Sequence, residues 1–408
     1  MAAGELISDD AGAREAEAAA RAAGRVAIDL EFMWERTYAP LACLAQMATP
    51  DAVYLIDPLA GAPLAPIGEL VADPDVDVVM HAPSADLTLL GLALDTRPAA
   101  LTDVQLTAGF VGLGAGQGLA TLLERVLSVR LDKGERYTDW TKRPLRPEQL
   151  SYAAADVAHL LQLADELAAR AASLGRAAWV AEEHERRYGP DSRLVPDPGL
   201  AWRRIKGQGR LSPEDRAVLA RLAAWRERHA RDLDRPTGWI VPDRTMIEIA
   251  RRAPTTRSAL ARERGLPERM KEEHLDAMLE AIAASRTDEP LALPPGPPSR
   301  VAARVDALTP LAAALVSARA SKAGLAPTLI ATRDEIAAHL AAVLAESESR
   351  SPLARGWRHE LAGDAVEALA LGEVALVASE RAPFVREIPS SPQEPDDHDD
   401  ASSGERGD

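Results

Sequence analysis

Val26-Ala27-Ile28-Asp29-Leu30-Glu31-Phe32 is an apolar run that carries two acids spaced i, i+2. It reads as a strand, whose side chains alternate between faces, so Asp29 and Glu31 share one face about 7 Å apart along the backbone. Unpaired charges beside a strand core cost several kcal/mol unless something offsets them, and a bound divalent cation is the obvious candidate. An edge strand with a solvated acidic face is the alternative. Further along, the apolar run Val78-Val79-Met80 leads into His81-Ala82-Pro83-Ser84-Ala85-Asp86, which puts Asp86 near the start of a helix just after a strand. Ser151-Tyr152-Ala153-Ala154-Ala155-Asp156-Val157 then sets Tyr152 and Asp156 four apart in an alanine-rich segment, on one face of a helix.

The order D-x-E, a lone Asp, then Y-x-x-x-D resembles the three motifs of the DEDDy family of 3'-5' exonucleases. The words between them narrow the likeness: Arg36-Thr37-Tyr38, Leu55-Ile56-Asp57-Pro58-Leu59, Leu131-Asp132-Lys133 and Thr138-Asp139-Trp140 through Arg143-Pro144-Leu145 are similar to ribonuclease D. The resemblance implies a ribonuclease H-like α/β domain, with a mixed five-stranded sheet between helices. Leu222-Ala223-Ala224-Trp225-Arg226 and Ile240-Val241-Pro242-Asp243-Arg244 through Ile249-Ala250 and Pro254 resemble the HRDC domain, a small helical module shared by helicases and ribonuclease D. Leu325 to Ile336 echoes the Trp239 to Ile249 pattern, and Gly356-Trp357-Arg358-His359-Glu360-Leu361 resembles a closing element of ribonuclease D. The expected architecture is therefore the exonuclease domain followed by two all-α HRDC-like bundles. Three departures stand out: Leu30 where relatives commonly have threonine, Pro83 where they often have glycine, and Glu273-His274 where HRDC domains usually have a glycine before the last helix.

The punctuation of the chain supplies boundaries. Residues 1–20 read as disordered or partly helical, 21–187 as the exonuclease domain and 188–205 as a linker. Residues 206–286 read as the HRDC domain, 287–299 as a proline-rich spacer, 300–384 as the second bundle and 385–408 as a disordered acidic tail. Within the first domain, strand patterns at 26–32, 41–48 and 52–56 succeed one another and suggest a meander. The glycine-rich stretch 111–118 lacks a following Gly-Lys-Ser/Thr and a preceding apolar strand, so it reads as a turn, not a phosphate loop. Asp103 reads as a charge at a helix start.

A net charge of -16 is unsuited to nucleic acid until it is divided along the chain. The first twenty residues carry about -4, residues 21–187 about -8 and the stretch after Phe384 about -6, while residues 200–286 carry about +6. A basic middle segment can attract phosphates, and an acidic catalytic segment can receive them through metal ions. One cysteine, Cys43, excludes a disulfide within the chain. The N-terminus lacks the pattern of a signal peptide, and no run approaches the length of a bilayer span, so the expectation is a cytoplasmic protein with no membrane partner, and a monomer.

Phosphodiester hydrolysis needs an attacking water, charge stabilisation on the phosphate and a departing 3'-oxygen, which two divalent cations can together serve. Mg2+ or Mn2+ takes oxygen ligands, and Asp29, Glu31, Asp86 and Asp156 are the four carboxylates that the resemblance aligns for them. Tyr152, one turn before Asp156, would orient the attacking water first and move a proton second, because a phenol with a pKa of about 10 is a poor base at neutral pH. A packed aromatic is the alternative. His81, at a strand end, reads as a structural hydrogen bond rather than a catalyst. Lys133 could meet a substrate phosphate or pair with a neighbouring acid. Arg203, Arg204 and Lys206, with Arg210, Arg226, Arg228 and Arg251, could contact phosphates or form a solvated surface. The leading expectation is an exoribonuclease acting on structured RNA, with tRNA precursors the class that the resemblance implies; a DNA-directed exonuclease and a nucleic-acid-binding scaffold with a vestigial site are the alternatives.

Overall fold

The strand that bears the paired acids lies inside a six-stranded sheet in the computed structural model, which describes residues 4–131, 138–266, 272–293 and 298–390. The strands are β1 (Glu5–Ile7), β2 (Arg25–Met33), β3 (Leu41–Ala48), β4 (Val53–Ile56), β5 (Asp77–Met80) and β6 (Leu101–Asp103), in spatial order β1-β4-β3-β2-β5-β6. β2, β3 and β4 form the antiparallel meander, and β5 and β6 add parallel to the other side of β2. Apolar residues with a β-branched share fill these strands, and Val26, Ala27, Ile28, Leu44, Leu55, Val78 and Val79 are fully buried.

The sheet has one strand more than the five expected. Glu5–Ile7 pairs parallel with Tyr54–Ile56. Residues 4–20 are correspondingly ordered: the partial helix expected there is present, and the strand before it replaces the disorder expected as the alternative. Helix α1 (Asp10–Ala23) is capped by Asp9, whose carboxylate accepts the Gly12 amide at 2.9 Å, and ends on Gly24 at φ 68°. Ala13, Ala16 and Ala20, spaced three and four apart, bury one stripe of it completely.

The first of two compact units, Met1–Pro295, holds this sheet and thirteen described helices. After α1 come α2 (Ala65–Val71), α3 (Ser84–Leu94), α4 (Val104–Phe110), α5 (Leu119–Leu127), α6 (Pro147–Ala158), α7 (Leu160–Ser173) and α8 (Ala177–Tyr188). A linker with a 3-10 turn at Pro198–Arg204 leads to α9 (Pro213–Asp232), α10 (Thr237–Ile240), α11 (Asp243–Arg252), α12 (Arg257–Ala261) and α13 (Glu272–Ala284). These last five close a second core around Leu219, Leu222, Met246, Ile249 and Met278, to which Ala201, Trp202 and Ile205 of the linker also contribute. Tyr38, from the loop after β2, is part of that same core. Its hydroxyl donates to Glu227 Oε1 at 3.0 Å, and its amide to Asp234 Oδ1 at 3.0 Å.

The second unit, Gly296–Asp408, contains α14 (Ser299–Ala323), α15 (Pro327–Ile330), α16 (Arg333–Leu344), α17 (Gly356–Arg358) and α18 (Asp364–Leu371). It is not all-α as expected: β7 (Val374–Ala378) and β8 (Val385–Pro389) form an antiparallel hairpin. Residues 385–389 therefore leave the expected disordered tail, held by Arg319, which reaches both carboxylate oxygens of Glu387 at 3.0 and 2.7 Å. Residues 391–408 lie outside the described residues. α14 also corrects the membrane reading, since by length and composition alone its 25 residues are apolar enough to cross a bilayer. Here it packs Ala312, Leu315 and Val316 into the unit's interior and carries Arg304, Asp306, Arg319 and Lys322.

The two segments that echo each other in sequence share one local feature. α10 and α15 each end at an extended residue, Val241 at φ -148° and Ala331 at φ -159°. At each break a buried arginine meets the freed carbonyls: Arg226 donates to Val241 at 2.6 Å, and Arg358 to Ile330 at 3.0 Å. Arg226, a candidate phosphate contact in the sequence, is thereby a core residue, because its charge is spent inside the bundle.

Candidate active site

β2 places the paired acids as the alternation requires. Asp29 and Glu31 are half-buried, Leu30 between them points into the opposite core at 5% exposure, and a bulge at Glu31/Phe32 shifts the register with β3, which resumes at Phe32–Ala42 and Met33–Leu41. The threonine-to-leucine departure thus falls on the face away from the acids. α6 brings the third motif. Pro147 sits in its first turn, Gln149 Oε1 accepts the Arg146 amide at 3.0 Å, and Ala153, Ala154 and Val157 are buried, which turns Tyr152 and Asp156 together toward the acids.

Carboxylate oxygens of Asp29, Glu31 and Asp156 lie within 4.8 Å of one another. Asp86 stands outside that set but adjoins it. It is 7% exposed in the first turn of α3, and its charge acts on Asp29 and Glu31. The structure therefore brings together all four acids expected from the sequence.

Their electrostatics are those of a site short of positive charge. Burial, then Asp86, Asp156 and Glu31, hold the Asp29 carboxyl well above the usual carboxylate range. Burial, then Asp156 and Asp86, push Glu31 up to about 8. Burial raises Asp86 to about 7 against the Leu30 amide, and Asp156 to about 6 against a hydrogen bond from Tyr152. Tyr152 is pushed above the ordinary phenol value by burial and by Asp156, so its hydroxyl stays protonated. An all-oxygen donor set that repels itself in this way fits a hard divalent cation.

Residues that the sequence reading missed hold these groups in place. Asp103, expected as a helix-start charge, does cap α4 through the Gln105 amide at 2.9 Å. It also accepts the Ala82 amide at 3.0 Å and the Tyr188 hydroxyl at 2.7 Å. Ala82 has φ 54°, so Asp103 pins the strained turn that feeds Pro83 and then Asp86 into α3. His81, by contrast, makes the structural hydrogen bond expected of it, donating from Nε2 to the Gln117 carbonyl at 2.9 Å. Gln46, paired with Asp29 across the sheet, is fully buried, and its amide atoms have no hydrogen-bond partner among the described residues. Trp140 packs 6.3 Å from the Tyr152 ring, and Arg143 ties that segment to Asp57. No sequence spacing announces these pairings, which join residues far apart in the chain.

The expected phosphate contacts are less gathered. Lys133 lies outside the described residues. Arg203 stacks its guanidinium 5.4 Å from the Trp202 ring, Arg204 donates to Glu227 at 3.0 Å, and Lys206 is exposed. None of these contacts involves the four carboxylates.

Comparison with known proteins agrees with the geometry. A 3'-5' exonuclease family model matches residues 5–171, and an HRDC domain model matches residues 215–282. Ribonuclease D of Gluconacetobacter diazotrophicus is 36% identical over 368 residues, covering 90% of this chain and 92% of that protein. Ribonuclease D of Granulibacter bethesdensis is 36% identical over 355 residues, covering 86% and 88%. The crystal structure of Escherichia coli RNase D, described as an exoribonuclease involved in structured RNA processing, matches with a TM-score of 0.74 at 28% identity, covering 90% of this chain and 98% of that one. The chain belongs to the ribonuclease D family of 3'-5' exoribonucleases.

Proposed function

We propose that this enzyme trims structured RNA from the 3' end by a mechanism dependent on two divalent cations, with tRNA precursors as the substrate class. The observation that carries this reading is the convergence of Asp29, Glu31 and Asp156 within 4.8 Å, with Asp86 beside them. Asp29, Glu31, Asp86 and Asp156 would hold the ions. When bound, Mg2+ or Mn2+ supplies charge stabilisation at the phosphate and a more acidic attacking water. Tyr152, held protonated next to Asp156, orients that water, and proton transfer is its lesser role. Arg203, Arg204 and Lys206 attract the phosphates of the strand leading to the site.

The chain acts as a cytoplasmic monomer in this reading. The α15–α16 segment is, in the same reading, a diverged copy of the α10–α11 segment, a view supported by the extended residue that ends both α10 and α15.

The test is purified protein on RNA with varied 3' ends and on matched DNA, in Mg2+, Mn2+ or chelator, with Asp29→Ala beside wild type. Release of mononucleotides from RNA alone, lost in chelator and in the variant, is the expected result. Equal digestion of DNA would replace the RNA assignment, and binding without turnover in every metal would replace the enzyme by a scaffold.

A further inference from the structure

Trp34 follows Glu31 by three residues, at the end of the strand that carries the acids, so the two Cα atoms are at most about 10 Å apart. It is 47% exposed, although its indole Nε1 donates to the Tyr38 carbonyl at 3.0 Å. That bond fixes the ring while leaving apolar surface in water, an arrangement a packed core tryptophan does not need.

Two hollows adjoin this ring. The one toward α9 and α11, about 390 Å³, includes Glu35, Glu227 and Asp243 in its wall and is unsuited to a polyanion. The one toward the linker, about 440 Å³, sets Trp34 against Arg193, Arg203 and Arg204 over an apolar floor that includes Leu194 and Leu200. Its single acid, Asp197, already accepts the Gly199 amide at 2.8 Å. A third hollow, about 370 Å³, shares Thr88, Arg193 and Leu194 with the second and adds Arg186 and Arg187, which divide one buried partner, Glu183, between them. The linker is fastened here: Thr88 Oγ1 donates to the Leu194 carbonyl at 2.9 Å, and Val195 packs on Gly91 where a Cβ would collide. From Arg186 to Arg210 the chain carries seven basic and two acidic residues, within a protein of net charge -16.

We propose that the groove between Trp34 and the linker arginines binds the single-stranded RNA segment just upstream of the 3' end being cleaved, with one base stacked on Trp34 and its phosphates held by Arg193 and Arg203. The proposal rests on the exoribonuclease reading above, which supplies the strand and its direction. An aromatic face beside a row of cations is what sequence-tolerant binding of a single strand requires, since every base can stack and every phosphate carries charge.

The test uses the full chain in chelator, with fluorescein-labelled oligoadenylate of three and of twelve nucleotides, and reads equilibrium binding by anisotropy across a salt series. Wild type, Trp34→Ala, Trp34→Phe and the double variant Arg193→Ala/Arg203→Ala are compared, with thermal unfolding as a control for folding. Trp34→Ala is expected to weaken binding of the twelve-nucleotide RNA by about tenfold, and Trp34→Phe to restore most of it. The double variant should flatten the slope of log affinity against log salt by about 1.4. The three-nucleotide RNA should distinguish the proteins far less. Unchanged affinity and slope in the variants would overturn the groove, as would a Trp34→Phe protein as weak as Trp34→Ala. Mononucleotide release by wild type in Mg2+ is read separately, so a failed nuclease and a failed groove give different results.

Discussion

Arg143 clasps both carboxylate oxygens of Asp57, Nε to Oδ2 and Nη2 to Oδ1, each at 2.6 Å. Asp57 is 2% exposed and also accepts the Leu59 and Ala60 amides, while Arg143 donates to the carbonyls of Cys43 and Trp140. The pair therefore joins the end of β4 to the segment before α6 that packs Trp140 against Tyr152. Arg143→Ala leaves a buried carboxylate without its cation and should cost about 3 kcal/mol in chemical denaturation. It should also lower kcat, because the support behind Tyr152 loosens.

Tyr152→Phe separates orientation from metal binding. Loss of the hydroxyl is expected to reduce kcat by at least about tenfold with a smaller change in KM. Stabilisation of the variant by Mg2+ in a thermal-unfolding titration should match wild type, since the phenol is not among the proposed ligands. A variant that no longer responds to Mg2+ would assign Tyr152 to the ion site itself.

The four carboxyls make stability depend on pH in a defined direction. Their folded-state pKa values lie above those of the unfolded chain, so the folded state binds more protons over the interval between them, and stability falls as pH rises. In chelator the protein should lose stability as pH rises from the ordinary carboxylate range through about pH 8, the value for Glu31. Divalent cations should remove most of that slope. Asp29→Asn should be more stable than wild type in chelator near pH 8 and inactive with metal, and a flat profile without metal would contradict the shared pocket.

Tyr38→Phe removes the hydroxyl that Glu227 accepts while keeping the ring in the helical core. Glu227 retains Arg204, so the expected cost is about 1 to 2 kcal/mol, read by denaturant unfolding. An unchanged midpoint would mean that ring burial alone makes the joint.

What the sequence displayed was whatever repeats at short range. The i, i+2 acids of β2, the i, i+4 pair on α6 and the turn-rich boundaries follow from local periodicity, and the structure has the strands and helices that carry them. Glu5–Ile7 was hidden because three residues have no period, and its pairing partner is β4, about fifty residues on. The β7–β8 hairpin was hidden for a related reason: Glu387 reads as one more acid of a polar tail until Arg319 of α14 is seen to hold it. Asp103 looked like a simple cap because its partners Ala82 and Tyr188 come from other parts of the chain. Charge alone misled at Arg226, which is a phosphate-binding residue by composition and a bundle staple by burial.

The seat of Tyr38 among the HRDC helices bears on how such enzymes can be recombined. A graft that exchanged residues 215–282 for the equivalent module of a distant relative would leave a tyrosine from the catalytic half facing a foreign helix. The loop after β2 and the module would have to travel as one cassette, so the natural unit of inheritance here is cut differently from the two matched segments.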